Sequence, residues 1–146
     1  MYTKILVALE NGRADESLVP HVRKLALLVG AELLLVHVAD GWAARNFEQL
    51  KLAESQEMKE DTDYLERTAV GLRAAGLRVS TKLALGSPPA EIVRLASASG
   101  CDLIAMASHG HKLIGDLVFG NTIDKVRHET QVPLLVIRAA MRPAAG

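Results

Sequence analysis

The sequence MASHG at residues 106–110 decides the fold, together with GNT at residues 120–122, nine residues further on. An apolar run at 103–105 precedes the first segment, and PLLVI at 133–137 follows the second. This order predicts a buried strand, a loop of small residues, a helix and a last strand. In an open α/β sheet, such a loop lies at the carboxyl edge of the strands, where ligands bind.

The composition of this loop suits an anion. Small residues let backbone N–H groups come close to a ligand. A helix that begins near Gly120 and Asn121 would direct its unpaired N–H groups and the positive end of its dipole to the same place. A phosphate fits there. A tight turn followed by a helix start explains the two glycines equally well, so the rest of the chain must decide.

Length and charge limit the classes of protein that this chain can be. Its 146 residues are typical of one domain, spanning 1–146. Aromatic residues make up 3%, and 17 basic residues balance 17 acidic ones. We therefore expect neither a basic patch nor a stacking surface for nucleic acid.

The compartment is predicted from features that the sequence lacks. Cys101 is the one cysteine, which excludes an internal disulfide and a cysteine-cluster metal site. Its apolar neighbours indicate a buried, inert thiol. There is no signal peptide pattern, and no apolar run approaches the roughly 18 residues of a membrane span. We expect a cytoplasmic protein without membrane contact.

Working outward from the loop, apolar runs alternate with helical patterns. Strands are predicted at 5–9, 33–38, 79–85, 102–105 and 133–138, the third of them at a sheet edge because it alternates apolar and polar residues. Helices are predicted at about 14–29, 43–75, 88–99 and 120–129. This alternation predicts a parallel sheet with helices on both faces, a three-layer α/β/α sandwich.

The ends of some helices are marked clearly, and others leave alternatives open. Gly30 is a good stop for the first helix, and Ser87 before Pro88 is a good start for the third. The first helix either begins near Ser17, with Pro20 in its first turn, or is kinked at Pro20.

The second helix has two parts. Residues 41–54 are less periodic than residues 55–75, and form either a mobile loop or a helical arm. One face of the remainder is marked by Met58, Thr62, Leu65, Ala69 and Leu72.

Several of these segments together resemble the universal stress protein family. They are ILVALE at 5–10, LVHV at 35–38, GSP at 86–88, and MASHG with GNT and VPLLVI at 132–137. The resemblance covers essentially the whole chain. It implies an adenine nucleotide hydrolase-like sheet of five parallel strands in the order 3-2-1-4-5. The resemblance also implies a homodimer in which the strand at 134–137 pairs with its mate. The apolar character of that strand suits such pairing, because an unpaired edge of this kind would be an aggregation hazard.

Many members of this family bind ATP through Gly-x2-Gly-x9-Gly-(Ser/Thr). This chain keeps the spacing, but Ala107 replaces the first glycine and Asn121 the hydroxyl residue. Ala107 is tolerated if its φ is negative, because only its N–H is needed. Asn121 can still cap a helix and donate to a phosphate oxygen, and Thr122 offers a hydroxyl one position later.

The resemblance assigns further residues to the nucleotide. Glu10 stands where the family usually has Asp, near the ribose and the metal-bound phosphates, and is a weak candidate for the metal. Val38 corresponds to a residue beside adenine. We expect ATP with Mg²⁺ or Mn²⁺. The residues expected to bind it are Ala8, Leu9, Glu10, Val38, Met106, Ala107, Ser108, His109, Gly110, His111, Gly120, Asn121 and Thr122.

For several other polar side chains, a structural role is the alternative to a ligand-binding or catalytic one. His37 lies in an apolar strand and is expected to be a satisfied core histidine. His109 is expected to brace the loop, whereas His111 and Lys112 are expected on its surface. The two histidines of the loop, without carboxylates at ligand spacing, make a weak metal site.

The function expected from these residues is an ATP-binding stress-response module in which residues 41–54 report the ligand to an unidentified protein partner. No nucleophile elbow, Walker lysine loop or general base is visible, so any ATP hydrolysis should be slow. A module of the same fold that has lost ATP is the alternative that Ala107 and Asn121 favour. A response-regulator-like phospho-acceptor is disfavoured, because the first strand ends in a single acid, Glu10.

Overall fold

The structure is a computed structural model that describes residues 1–40, 47–109 and 114–140. Its elements in chain order are β1 (Lys4–Ala8), α1 (Asp15–Val29), β2 (Glu32–Asp40), α2 (Phe47–Ala74), β3 (Val79–Gly86), α3 (Pro88–Ala98), β4 (Leu103–Ser108), α4 (Ile114–Glu129) and β5 (Leu134–Arg138).

The strands form one parallel sheet in the order β3-β2-β1-β4-β5, which confirms the expected topology. The central strand is β1, where Ile5 pairs with Leu33 on one side and with Leu103 on the other. The predicted edge position of β3 is also confirmed. The carboxyl ends of β1, β2 and β4 therefore lie side by side.

Alternating side chains of the strands divide the apolar interior into two cores. Ile5 and Val7 pack with α1 and α2, whereas Leu6 and Ala8 pack with residues of α3 and α4. Successive residues of a strand point to opposite faces, so a continuous apolar run serves both layers. This arrangement is the predicted three-layer sandwich.

The predicted end of α1 and the predicted start of α3 are confirmed, but one predicted start of α1 is not. Gly30 ends α1 with a φ of 75°, and its N–H donates to the carbonyl of Ala26. Ser87 occupies the N-cap of α3, and Pro88 follows as the first helical residue. The late start of α1 near Ser17 is wrong, because α1 begins at Asp15 and Pro20 lies inside it.

The predicted start of α4 at Gly120 is also wrong. The helix begins at Ile114, so Gly120 and Asn121 lie within it and Asn121 does not cap its N-terminus. In the sequence, Ile114, Leu117 and Val118 already show helical three-and-four spacing. Gly115 weakens that signal, since glycine costs about 1 kcal/mol in a helix.

The long helix α2 includes residues 47–54, which favours the helical alternative for that part of the 41–54 segment. Residues 41–46 lie outside the described residues. Leu65, Ala69 and Leu72 are buried as expected. Thr62 is exposed, however, and Asp61 is buried in its place. Asp61 lies four residues before Leu65, so it continues the buried stripe at the helical period.

Cys101 is buried, as expected, and this burial raises the pKa of its thiol. Among the helices that the structure describes, none is both long and apolar enough to cross a membrane.

The amino end of the sheet is fastened by Asp102, which lies just before β4. Its carboxylate accepts the backbone N–H groups of Thr3 (2.9 Å) and Lys4 (3.0 Å), and the hydroxyl of Thr3 (3.0 Å). Partial burial opposes ionisation, but these hydrogen bonds prevail and hold the pKa of Asp102 below its usual value. The chain thereby fixes where β1 enters the sheet.

We predict that Asp102→Asn lowers the free energy of unfolding by about 1 kcal/mol at neutral pH, since amide donors lose a charged acceptor. The pKa of Asp102 is lower in the folded chain, so its contribution is present above about pH 4 and is lost as the pH falls through the folded-state pKa. Urea unfolding of both proteins at neutral and acid pH measures this. Asp124→Asn, at an exposed ion pair with Arg127, is the control. A difference that persists unchanged in acid contradicts the assignment.

Candidate functional site

A cleft of about 200 Å³ opens at the carboxyl ends of β1 and β2. The start of α3 forms its far side. Its lining residues are Ala8, Leu9, Glu10, Val36, His37, Val38, Pro88 and Ile92. The cleft therefore lies beside the central strand, where β1 separates β2 from β4, the place where open α/β sheets bind ligands.

Four residues that the sequence predicts for one site come together in this cleft: Ala8, Leu9, Glu10 and Val38. Pairing of β1 with β2 brings them together, since Ala8 is in register with Val36 and the N–H of Leu9 donates to the Val36 carbonyl at 2.8 Å. Ala8 and Val38 contribute to the core beneath α3 and α4. The wall is thus apolar near the strands and carries one carboxylate, Glu10.

Glu10 and His109 connect the ends of two neighbouring strands. The Nε2 of His109 lies 3.0 Å from both carboxylate oxygens of Glu10. Glu10 follows β1 and His109 follows β4, and both side chains are partly buried. The contact ties the segment after β4 to the end of β1, which is the bracing role expected of His109.

The predicted loop begins too early, because residues 106–108 are the last three residues of β4. Met106 is fully buried in the core beneath α3 and α4, and Ala107 is fully buried in the opposite core. Ser108 ends β4, and its carbonyl accepts the N–H of Ala139 at 2.7 Å. Thr122 is buried within α4. Gly110, His111 and Lys112 lie outside the described residues.

The backbone at Ala107 tolerates a side chain. Within the described part of the chain, the non-glycine residue with a positive φ is Asn11, at 60°. Ala107 lies inside β4 instead. The condition under which alanine can replace the first glycine of the motif is therefore met.

The turn after β1 is held by a buried acid that the sequence analysis did not identify. The Asp15 carboxylate accepts the backbone N–H groups of Glu10 (3.0 Å) and Asn11 (2.9 Å), and the hydroxyl of Tyr64 on α2. Burial, and then the bond to Asp15, raise the pKa of Tyr64 well above its ordinary value. The sequence gives little signal for this contact, because an Asp side chain in a turn usually bonds the backbone two residues further on, whereas Asp15 accepts N–H groups four and five residues before it.

His37 is satisfied, as predicted, but also borders the cleft. Its Nδ1 lies 2.9 Å from the carbonyl oxygen of Leu9, and its Nε2 lies 3.4 Å from Asp61. The amide of Asn11 donates to the other oxygen of Asp61 at 2.9 Å. The signal for Asp61 was available, because a charged residue on the apolar stripe of a helix needs a partner.

Within the described ranges, no group of three or more His, Cys, Asp or Glu side chains is placed to hold a metal ion. A cation at Glu10 would therefore need ligands from another source. Bound phosphate groups are the usual one for Mg²⁺, which protein sites often hold through only one or two carboxylates.

Comparison with known proteins assigns the chain to a family. The profile described as "Universal stress protein family" matches residues 1–138. The chain belongs to the universal stress protein family.

Among its relatives is the universal stress protein MJ0577 of Methanocaldococcus jannaschii, 28% identical over 94% of this chain and 96% of the relative. The solved structure of MJ0577 superposes with a TM-score of 0.81, at 26% identity, over 97% of this chain and 99% of the other.

Two solved universal stress proteins share the fold and are in complex with adenine nucleotides. One, from Archaeoglobus fulgidus, is in complex with dAMP; it is 21% identical, with a TM-score of 0.70 over 93% of this chain and 98% of the other. The second is in complex with cAMP; it is 16% identical, with a TM-score of 0.69 over 95% and 98%.

We predict that the Tyr64–Asp15 contact makes this universal stress protein sensitive to alkaline pH. Above about pH 10 the unfolded chain loses the phenol proton while the folded chain retains it, so the free energy of unfolding falls as the pH rises. Urea unfolding across this range should show a shallower fall for Tyr64→Phe than for the unmodified protein. Equal slopes would show that the phenol does not contribute.

Proposed function

We propose that this universal stress protein binds an adenine nucleotide, ATP together with Mg²⁺ or Mn²⁺, in the cleft at the carboxyl ends of β1 and β2. The observation that carries the proposal is that Ala8, Leu9, Glu10 and Val38, from two strands, line one cleft. Solved relatives in complex with dAMP and cAMP support an adenine nucleotide as the class of ligand.

The chemistry of the wall suits the two ends of such a ligand. Ala8, Val38 and Ile92 offer apolar surface to a base. Glu10 offers one carboxylate to a cation that phosphate oxygens also bind. Gly120 and Thr122 lie inside α4, where backbone N–H groups serve the helix itself. The proposal therefore assigns the phosphates to the end of β4 and the segment after it, starting at Ser108 and His109.

The biological role in this proposal is a cytoplasmic stress-response module whose bound nucleotide is reported to a protein partner, with residues 41–54 as the reporting arm. At most slow ATP hydrolysis accompanies binding. The alternative is an interaction module of the same fold that takes no nucleotide.

We predict that Val38→Trp weakens ATP binding at least tenfold, because an indole would fill a cleft of this size. Val70→Trp is the matched control, since Val70 lies on α2 with 60% of its surface exposed. Titration calorimetry with ATP and Mg²⁺ measures both variants against the unmodified protein.

The same titration separates the two functions. If the unmodified protein neither retains an adenine nucleotide through purification nor binds added ATP with Mg²⁺, the nucleotide proposal is wrong and the interaction module remains. If Val38→Trp binds as tightly as the control, the nucleotide binds elsewhere.

We also propose a homodimer through β5, residues 134–137. β5 is an edge of the sheet, and Val136 on it is 43% exposed. At the opposite edge, the Arg73 guanidinium donates to the Val79 carbonyl of β3 at 2.8 and 3.1 Å. Such a contact discourages pairing with another strand there, which favours β5 as the edge that pairs.

We predict that Val136→Asp converts the dimer to a monomer, because it places a charge on the edge strand of each subunit, where like charges repel across a strand pair. Ser80→Asp, on the exposed side of β3, is the control and should leave the dimer intact. Sedimentation velocity distinguishes the species. A monomeric unmodified protein, or a dimer that survives Val136→Asp, would exclude this interface.

A further inference from the structure

A single buried carboxylate on α2, Asp61, contacts one residue of the cleft wall and the residue that follows another. Asp61 is 7% exposed. One oxygen accepts the side-chain amide of Asn11 at 2.9 Å, and the other lies 3.4 Å from Nε2 of His37. Asn11 directly follows Glu10 along the chain, and His37 itself lines the cleft. Asp61 does not touch the cleft.

His37 connects Asp61 to the backbone of Leu9, the first residue after β1. A carbonyl oxygen only accepts hydrogen bonds, so the 2.9 Å contact with Leu9 requires that His37 Nδ1 carries a proton and donates it. The N–H of Leu9 is held in turn by the Val36 carbonyl. Both polar groups of the Leu9 backbone are therefore fixed. Because Nδ1 already donates to Leu9, the ring attracts Asp61 when Nε2 is protonated as well, as an imidazolium.

Asn11 connects Asp61 to the turn that carries Glu10. Its φ of 60° is one that Asn tolerates better than most side chains. Its backbone N–H is held by Asp15 on α1, and its side chain by Asp61 on α2. The direction in which the chain leaves Glu10 is thus determined from both helices of this layer.

We propose that Asp61 is a positioning residue for the nucleotide cleft: through Asn11 and His37 it holds Glu10 and Leu9 in place, so that occupancy of the cleft and the position of α2 are linked. The inference rests on the proposed nucleotide binding and deepens it. A buried carboxylate that loses its partners carries a high free-energy cost. A shift of Leu9 or Glu10 on binding is therefore opposed unless α2 follows, and linkage of this kind is reciprocal.

The test uses two substitutions of Asp61 and one control. Asp61→Ala removes both contacts, whereas Asp61→Asn keeps an oxygen for Asn11 and gains an amide that can donate to an unprotonated Nε2 of His37. Asp63→Ala changes an exposed acid on the same helix. Titration calorimetry with ATP and Mg²⁺ should show affinity about tenfold weaker for Asp61→Ala, and close to that of the unmodified protein for Asp61→Asn and Asp63→Ala.

Hydrogen exchange on the unmodified protein supplies a second readout that needs no variant. ATP with Mg²⁺ should slow amide exchange in α2 around residues 58–65, although those residues do not line the cleft. Asp61→Asn should retain this protection. A role in folding alone would change the stability of α2 without making its exchange depend on the nucleotide.

The possible results are distinct. The inference is wrong, although nucleotide binding stands, if Asp61→Ala binds ATP as tightly as the unmodified protein. It is also wrong if the nucleotide does not change amide exchange in α2 of the unmodified protein. If Asp61→Ala does not fold, the exchange measurement on the unmodified protein decides. If the unmodified protein binds no ATP with Mg²⁺, the proposed function fails and the inference fails with it.

Discussion

The parallel pairing of β1 with β2 on one side and β4 on the other is the constraint on which the site depends. Parallel strands bring their carboxyl ends to one edge of a sheet. The chain leaves β1 toward β2 and leaves β4 toward β5, so the connections that follow these two neighbouring strands run to opposite sides. Open α/β sheets bind ligands at such a point, and the cleft opens beside it, at the ends of β1 and β2. Glu10 reaches that cleft because it is the second residue after β1, and His109 meets it because β4 is the adjacent strand.

Two of the buried polar side chains lie at this end of the layer that α1 and α2 form. Asp15 and Asp61 are both buried in it, and each contacts polar groups of the turn after β1. A well-packed apolar pair would stabilise such a layer as well or better, so buried charge is weak evidence for stability alone. At the amino end of the sheet, Asp102 also accepts hydrogen bonds from backbone N–H groups, but it is only partly buried. The two buried carboxylates, whose burial costs more free energy, therefore lie beside the cleft, where they fix the direction of the chain.

The sequence was most informative where a local pattern determines the structure. Apolar runs located the strands because residues buried on both faces need no alternation, and Gly30 ended α1 because it adopts a positive φ. The order of the strands came from the family resemblance. Local patterns failed at α4, where Gly115 hid a helix start and Gly120 suggested a false one. Local patterns could not predict the contacts of the site, because Glu10 and His109 are 99 residues apart in the sequence and Asn11 and Asp61 are 50 apart.

The departures from the ATP-binding motif have different consequences because the two faces of the sheet have different neighbours. Ala107 packs in the core beneath α1 and α2, whereas Ala8 and Val38 of the cleft belong to the side of α3 and α4. The added methyl group therefore contacts the layer on the far side of the sheet and takes no space from the cleft. Glu10 acts on the cleft directly, because its extra methylene places both carboxylate oxygens at His109, across the gap between adjacent strands. The replacement that faces the proposed nucleotide cleft is thus the conservative one at Glu10, while the less conservative change at Ala107 is absorbed by packing on the other face of the sheet.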